Sequence, residues 1–215
     1  MLPSPEAQPE PAAVRLRRFT PAQRWVHRVT AAIMGICLAT AVVLYLGPLS
    51  VLVGRRALVE QVHVIAGIAL PLPLLAGWAS RALRADARAL NRFTGTDWTW
   101  LRSRDRRSGR LPVGKFNAGQ KLNAGFTVGA ILSLLGTGLI MRYANVWPLS
   151  LRTGATFVHD WLSYAVAGVL LGHVTFALRD PVARAGLRTG TVPLDWAQAE
   201  HGAWAQREVS RRPQP

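Results

Sequence analysis

The chain has 215 residues, half of them apolar and only 17% charged, yet 26 Lys and Arg against 11 Asp and Glu give a formal net charge of +15. A mean hydropathy of +0.17, with the charge bunched between long uncharged stretches, excludes an evenly solvated basic protein. One cysteine, Cys37, excludes a disulfide framework, an iron–sulfur cluster and a Cys-rich zinc site, and the lack of Cys-x-x-Cys-His excludes covalent haem attachment.

In chain order, residues 1–20 are expected to be a disordered, basic segment, with Pro and Glu concentrated in 1–13. Four runs then carry no charged side chain: 29–53, 61–80, 122–141 and 161–178. About 20 apolar residues cross the roughly 30 Å of hydrocarbon in a bilayer. Backbone in lipid must satisfy its own hydrogen bonds, so each run is a helix. Spans are expected at 26–47, 57–79, 121–142 and 154–178. The first run is too long, and too far from the N-terminus, for a cleaved signal core. Pro71 and Pro73 are expected to kink the second span. The loop between the second and third spans holds Trp98, Trp100 and the Arg-rich stretch 102–110, a surface for lipid or a partner. The expected architecture is an all-α integral membrane four-helix bundle, a domain over 21–180, with a cytoplasmic tail over 181–215.

Orientation follows from Lys and Arg. Five lie in the first 28 residues, eleven in 81–121 and six after 178, while the other two connections hold only Arg55, Arg56, Arg142 and Arg152. Basic loops stay inside, which places both termini in the cytoplasm. Topology and lipid headgroups account for the charge without nucleic acid. The expected location is the inner (cytoplasmic) membrane, crossed several times.

Four of the five histidines fall in or at the ends of these spans: His27, His63, His159 and His173. Ionisable residues in a membrane mark function by default. On this topology His27 and His173 share the inner leaflet, and His63 and His159 the outer one. Fourteen residues separate His159 from His173, which leaves them about 40° apart around one helix and about 21 Å apart along it. Facing imidazoles at two depths suit two haems with paired histidine ligands, His27 with His173 and His63 with His159. Zinc catalysis wants about three converging ligands, and a proton relay wants polar groups at intermediate depth. Gly35, Gly67, Gly168 and Gly172 leave room for a planar guest. Asp160 beside His159 is read as an interfacial group, and Cys37 as a small buried residue. His201, in the polar tail, is left outside the haem set as a residue without a partner.

The stretch Gly114-Lys115-Phe116-Asn117-Ala118-Gly119-Gln120-Lys121 closely resembles the Gly-Lys-aromatic-Asn-x-Gly-Gln-Lys motif of the gamma, or cytochrome b, subunit of membrane-bound formate dehydrogenases. Arg24-Trp25-Val26-His27, His63 with Gly67, the His159–His173 spacing, and Gly190, Val192, Trp196, Ala197, His201 and Trp204 in the tail support the resemblance. It implies two haem b groups on the four histidines. It also implies a pocket for menaquinone or ubiquinone lined by Asn117, Gly119 and Gln120 beside His173. The amides and a backbone N–H suit a quinone carbonyl, although Asn117 as a helix cap and Gly119 as a turn residue explain the same residues. The implied partners are an iron–sulfur beta subunit and a molybdenum or tungsten catalytic alpha subunit. Substrate oxidation then occurs on those partners, and this chain carries electrons from the iron–sulfur protein to quinone. Arg24, Arg28, Arg55, Arg56 and Arg152 are candidates for haem propionates. Alternatives are the cytochrome b subunit of a hydrogenase or another molybdoenzyme, a stand-alone superoxide:quinone oxidoreductase, and a haem-free transporter or scaffold.

Overall fold

Thr20 starts the first long helix by a reciprocal cap. Its hydroxyl accepts the Gln23 N–H, the Gln23 side chain accepts the Thr20 N–H at 2.7 Å, and Pro21 follows in the first turn. In the computed structural model, which describes residues 14–106 and 110–211, this helix α1 runs Pro21–Tyr45. A short α2, Gly47–Val53, ends at Gly54 in the left-handed region (φ +64°) and turns the chain back. The second span comes in two pieces, α3 (Arg56–Ala69) and α4 (Leu72–Gly77). Pro71 and Pro73 have no N–H to give to carbonyls one turn earlier, so the helix is interrupted at the expected place.

Helices α5 (Arg81–Leu90) and α6 (Gly95–Arg102) occupy the basic loop. Then α7 (Ala118–Arg142) and α8 (Leu149–Arg179) form the third and fourth spans. All four spans are long and apolar enough to cross a membrane. Helix α8, at 31 residues, is about 46 Å long and outruns the hydrocarbon. It starts after Pro148, earlier than expected.

Helix α1 packs against α3 and α4, α7 against α8, and α3 against α7. Their common contact is a mid-depth apolar layer of Met34, Leu70, Ala130, Ile131 and Val166, ringed by residues such as Phe126 and Leu134. Large side chains including Leu75, Phe157, Leu171 and Phe176 face outward and exposed. That surface suits lipid and would be a liability in water.

Residues 14–20 and 180–211 gather at one end of the bundle, here termed the basic end, with α5 and α6; α2 and residues 143–148 lie at the far end. Strand β1 (Arg15–Arg17) pairs antiparallel with β2 (Thr191–Pro193), Leu16 opposite Val192. These two side chains form a small core with Ala197, Trp204 and Ala205. Helices α9 (Pro181–Thr189) and α10 (Leu194–Ser210) complete a folded cap. The expectation of disorder over 1–20 is therefore corrected for 15–20, which carry a strand and a helix cap, while 1–13 lie outside the described residues. Apolar side chains at 16, 192 and 204 cover one another, and that burial orders the ribbon.

Gly190 closes the cap. It sits at φ +91°, its carbonyl accepts from Arg18 and Phe19, and a Cβ there would stand 2.6 Å from the Phe19 oxygen. Gly190→Ala should cost about 2 kcal/mol or more, from the left-handed backbone plus the collision. Thermal melts followed by tryptophan fluorescence should show the cap loosening first, with helical circular dichroism retained.

Candidate functional site

The folded chain brings the four intramembrane histidines together as two couples. His27, in the second turn of α1, faces His173, near the end of α8, with ring centroids 6.3 Å apart and planes at 45°. His63 on α3 faces His159 on α8 at 6.2 Å and 66°. Metal–imidazole bonds of about 2.0 Å and ring C–N bonds of about 1.33 Å put the centroids of two imidazoles gripping one metal from opposite sides about 6.3 Å apart. Both couples stand at that separation. Among the described residues no three His, Cys, Asp or Glu converge, so each couple offers two nitrogen ligands. A metal held this way brings its in-plane ligands with it, as a planar macrocycle does.

Polarity at the basic end fits such a group. A Cβ built at Gly35, Gly67, Gly168 or Gly172 would meet nothing within 4 Å, as at several other helix glycines such as Gly129 and Gly136, so these positions are open without marking out a cavity. At the basic end, Arg24 Nε and Thr30 Oγ1 are buried without a partner, one turn before and one turn after His27. Buried polar atoms left unpaired call for an explanation, and acidic side arms of a bound group would satisfy both. Arg24 and Arg28 otherwise donate to the Arg188 carbonyl, and Arg56 to the Leu44 carbonyl and the Ser50 hydroxyl. Topology alone does not exhaust those arginines.

The far-end couple has two neighbours that sequence reading missed. Thr40 Oγ1 lies 2.9 Å from His63 Nδ1, and Thr137 Oγ1 lies 2.9 Å from His159 Nδ1. Gly138 lets α7 approach the same ring, since a Cβ there would stand 3.4 Å from His159 Cε1. Threonine is common in membrane helices, where its hydroxyl bonds back to its own helix. The available signal was depth: both threonines stand near the level of the histidines they meet.

The 114–121 motif builds the entrance to α7. Asn117 Oδ1 accepts the Gln120 N–H at 2.9 Å, and Gln120 Oε1 accepts the Asn117 N–H at 3.0 Å. The backbone donors set both amide orientations. Both NH2 groups are left without a hydrogen-bond partner among the described residues. Gly119 has a packing role, for a Cβ would come 3.3 Å from the Trp100 ring. The motif's lysines act as staples: Lys115 Nζ meets Asp86 at 2.6 Å, and Lys121 Nζ meets Asp97 at 2.7 Å. A cavity of about 430 Å³ is lined by Trp100, Lys115, Phe116, Asn117 and Lys121 among others. Gly119, Gln120 and His173 are not on its wall.

His201, taken from sequence to have no partner, is the hub of the cap. It is 1% exposed, and its non-helical backbone (φ −143°, ψ 48°) breaks α10. Arg18 donates to its Nε2 at 2.8 Å, and its Nδ1–H donates to the Gly114 carbonyl at 2.8 Å. Arg18 also donates to the Lys115 carbonyl at 3.0 Å and lies over Phe19, Trp196 and Trp204. The terminal segments therefore grip the first two residues of the motif.

Four apolar spans holding two histidine couples at separate depths define a membrane cytochrome architecture. The chain belongs to the prokaryotic cytochrome b561 family, whose model matches residues 18–188, and membership implies haem b. It is a multi-pass protein of the inner membrane. The chain is also 28% identical over 102 residues to the cytochrome b556(Fdn) subunit of the nitrate-inducible formate dehydrogenase of Escherichia coli K12. The counterpart in Shigella flexneri matches equally. The match takes in 46% of this chain and 46% of the relative, so the chain spans about half the length of the curated relatives it matches.

Burial, reinforced by the Arg18 charge, pushes His201 down to about 3. Arg18 itself falls to about 10 through burial, against the pull of Asp180, Asp86 and Glu200. A histidine held below its ordinary value of about 6.5 stabilises fully above that value. Its contribution drains away as pH falls toward about 3, because the unfolded cap binds the proton first. Cap fluorescence should thus lose thermal stability progressively across that window. His201→Gln should cost about 1–3 kcal/mol at pH 7.5 and flatten this pH dependence.

Proposed function

We propose that this chain carries electrons across the membrane between an iron–sulfur partner subunit and quinone, through two haem b groups held by His63 with His159 and by His27 with His173. The observation that carries the reading is the pair of centroid distances, 6.2 and 6.3 Å, at two depths. When bound, haem supplies one-electron chemistry at each level. The chain's residues do the rest. The imidazoles hold the two levels about 21 Å apart, the rise from His159 to His173 on α8. The mid-depth layer of Met34, Leu70, Ala130, Ile131 and Val166 keeps water from the space between them.

Among the described residues, every Lys and Arg except Arg55, Arg56, Arg142 and Arg152 belongs to segments at the basic end, which supports a cytoplasmic assignment for that end. Quinone then meets its electrons on the cytoplasmic side, near α7. The NH2 groups of Asn117 and Gln120, left over when their oxygens close the cap, are donors suited to a quinone carbonyl. Similarity to the formate dehydrogenase cytochrome subunits supports a formate-oxidising complex, with the substrate handled by a molybdenum or tungsten subunit.

A dithionite-reduced spectrum of the purified chain should show about two b haems, with His63→Ala and His173→Ala each losing a different one. Full haem content in both variants would contradict the assignment. Asn117→Asp and Gln120→Glu keep the oxygens that close the cap and delete the NH2 donors. Each should lower quinone reduction about tenfold or more while haem content and melting temperature hold. Unchanged reduction in both would remove the amides from the quinone site.

A further inference from the structure

The Thr40 hydroxyl lies 2.7 Å from the Ile36 carbonyl and 3.0 Å from that of Cys37, in its own helix. The Thr137 hydroxyl lies 2.8 Å from the Ser133 carbonyl and 3.2 Å from that of Leu134. A carbonyl oxygen only accepts, so each hydroxyl proton is committed to the backbone. What each hydroxyl then offers the histidine at 2.9 Å is a lone pair. With the hydroxyl proton on the backbone, the imidazole donates from Nδ1 and Nε2 is the lone-pair nitrogen. The same device occurs twice, once from α1 to α3 and once from α7 to α8. At the basic end no hydrogen bond reaches the ring nitrogens of His27 or His173 among the described residues.

We propose that Thr40 and Thr137 are positioning residues that lock His63 and His159 as matched Nδ1–H tautomers, presenting both Nε2 lone pairs to the metal of the far-end haem and strengthening them as ligands. A histidine that donates its second N–H is a better-oriented and more basic ligand. Stronger donation favours the oxidised iron, so the device sets the far-end haem lower in potential than the same couple without its threonines. The inference rests on the two-haem reading above.

The test uses the full chain with Thr40→Val and Thr137→Val, singly and together, and Thr40→Ser and Thr137→Ser as rescues. Valine keeps the shape and removes the hydroxyl acceptor, leaving to each ring only the backbone carbonyl beside it, that of Cys37 for His63 and of Leu134 for His159. Redox titration should show the double valine variant with one midpoint shifted upward and the other unmoved, or with far-end haem affinity weakened about tenfold or more. Serine should restore the wild-type values. ¹⁵N-histidine spectra of haem-depleted protein should show His63 and His159 protonated on Nδ1, with mixed tautomers in the valine variants. Two haems at wild-type content and unmoved midpoints in the double variant would overturn the proposal, as would Nε2-protonated rings in the wild type. A wild-type chain without two haems would instead overturn the cytochrome reading, and the tautomer spectra would still judge the threonines.

Discussion

Everything in this fold depends on holding two imidazoles from different helices just over 6 Å apart inside hydrocarbon. Unpaired polar rings at that depth are costly, and van der Waals packing between helices must maintain the separation, because lipid offers no hydrophobic drive to press helices together. The mid-depth layer does this work. It joins all four spans between the two histidine levels, so α8, which carries one histidine of each couple, is fixed against α1 and α3 at once. A rotation or slip of α8 would open both couples together. The two levels are thus one mechanical unit.

The spans and the couples were legible in sequence for a simple reason. A helix in lipid has a fixed rise and no competing secondary structure, so charge-free length gives depth and residue spacing gives facing. His159 and His173 could be placed by arithmetic, and Pro71 and Pro73 announced their interruption. What stayed hidden lies where contacts are distant in the chain. Leu16 meets Val192, and Arg18 meets His201, across more than 170 residues, and no local pattern reveals a three-residue strand whose partner is at the other terminus. His201 read as a solvated tail residue because its burial is created wholly by that closure. Thr40 and Thr137 were missed for another reason: a threonine in a membrane helix is ordinary until the helix beside it is known.

In the 114–121 segment a structural role leaves room for a functional one. Asn117 and Gln120 do cap α7, and the cap consumes only their oxygens. The same geometry that satisfies the backbone aims two leftover donors away from it. Lys115 and Lys121 are tied down by buried carboxylates. Burial pushes Asp86 up despite Lys115, Arg18 and Gln23. Asp97 is held low: burial opposes its charge, but hydrogen bonds from Lys121 and Thr94 overcome that. Sequence resemblance read this segment as a ligand pocket, whereas the fold makes it first a rigid joint among α5, α6, α7 and the cap. A joint of this kind is a sound platform for a site that must not lose its shape.

The two ends of the bundle treat their histidines differently, and the difference is physical. Around His27 the buried Arg24 and Thr30 atoms are left wanting, which suits a group whose charged arms complete the site. Around His63 and His159 each ring is already satisfied by a hydroxyl from a neighbouring helix. On the proposed reading, one level would be finished by what binds and the other is organised in advance by the chain. Pre-formed ligands would reduce the ordering that binding must impose, and a neutral hydroxyl does this without placing a charge in hydrocarbon, as a carboxylate partner would. Threonine is well suited to the role, because its own proton goes back to the helix that carries it and its lone pair remains for the ring.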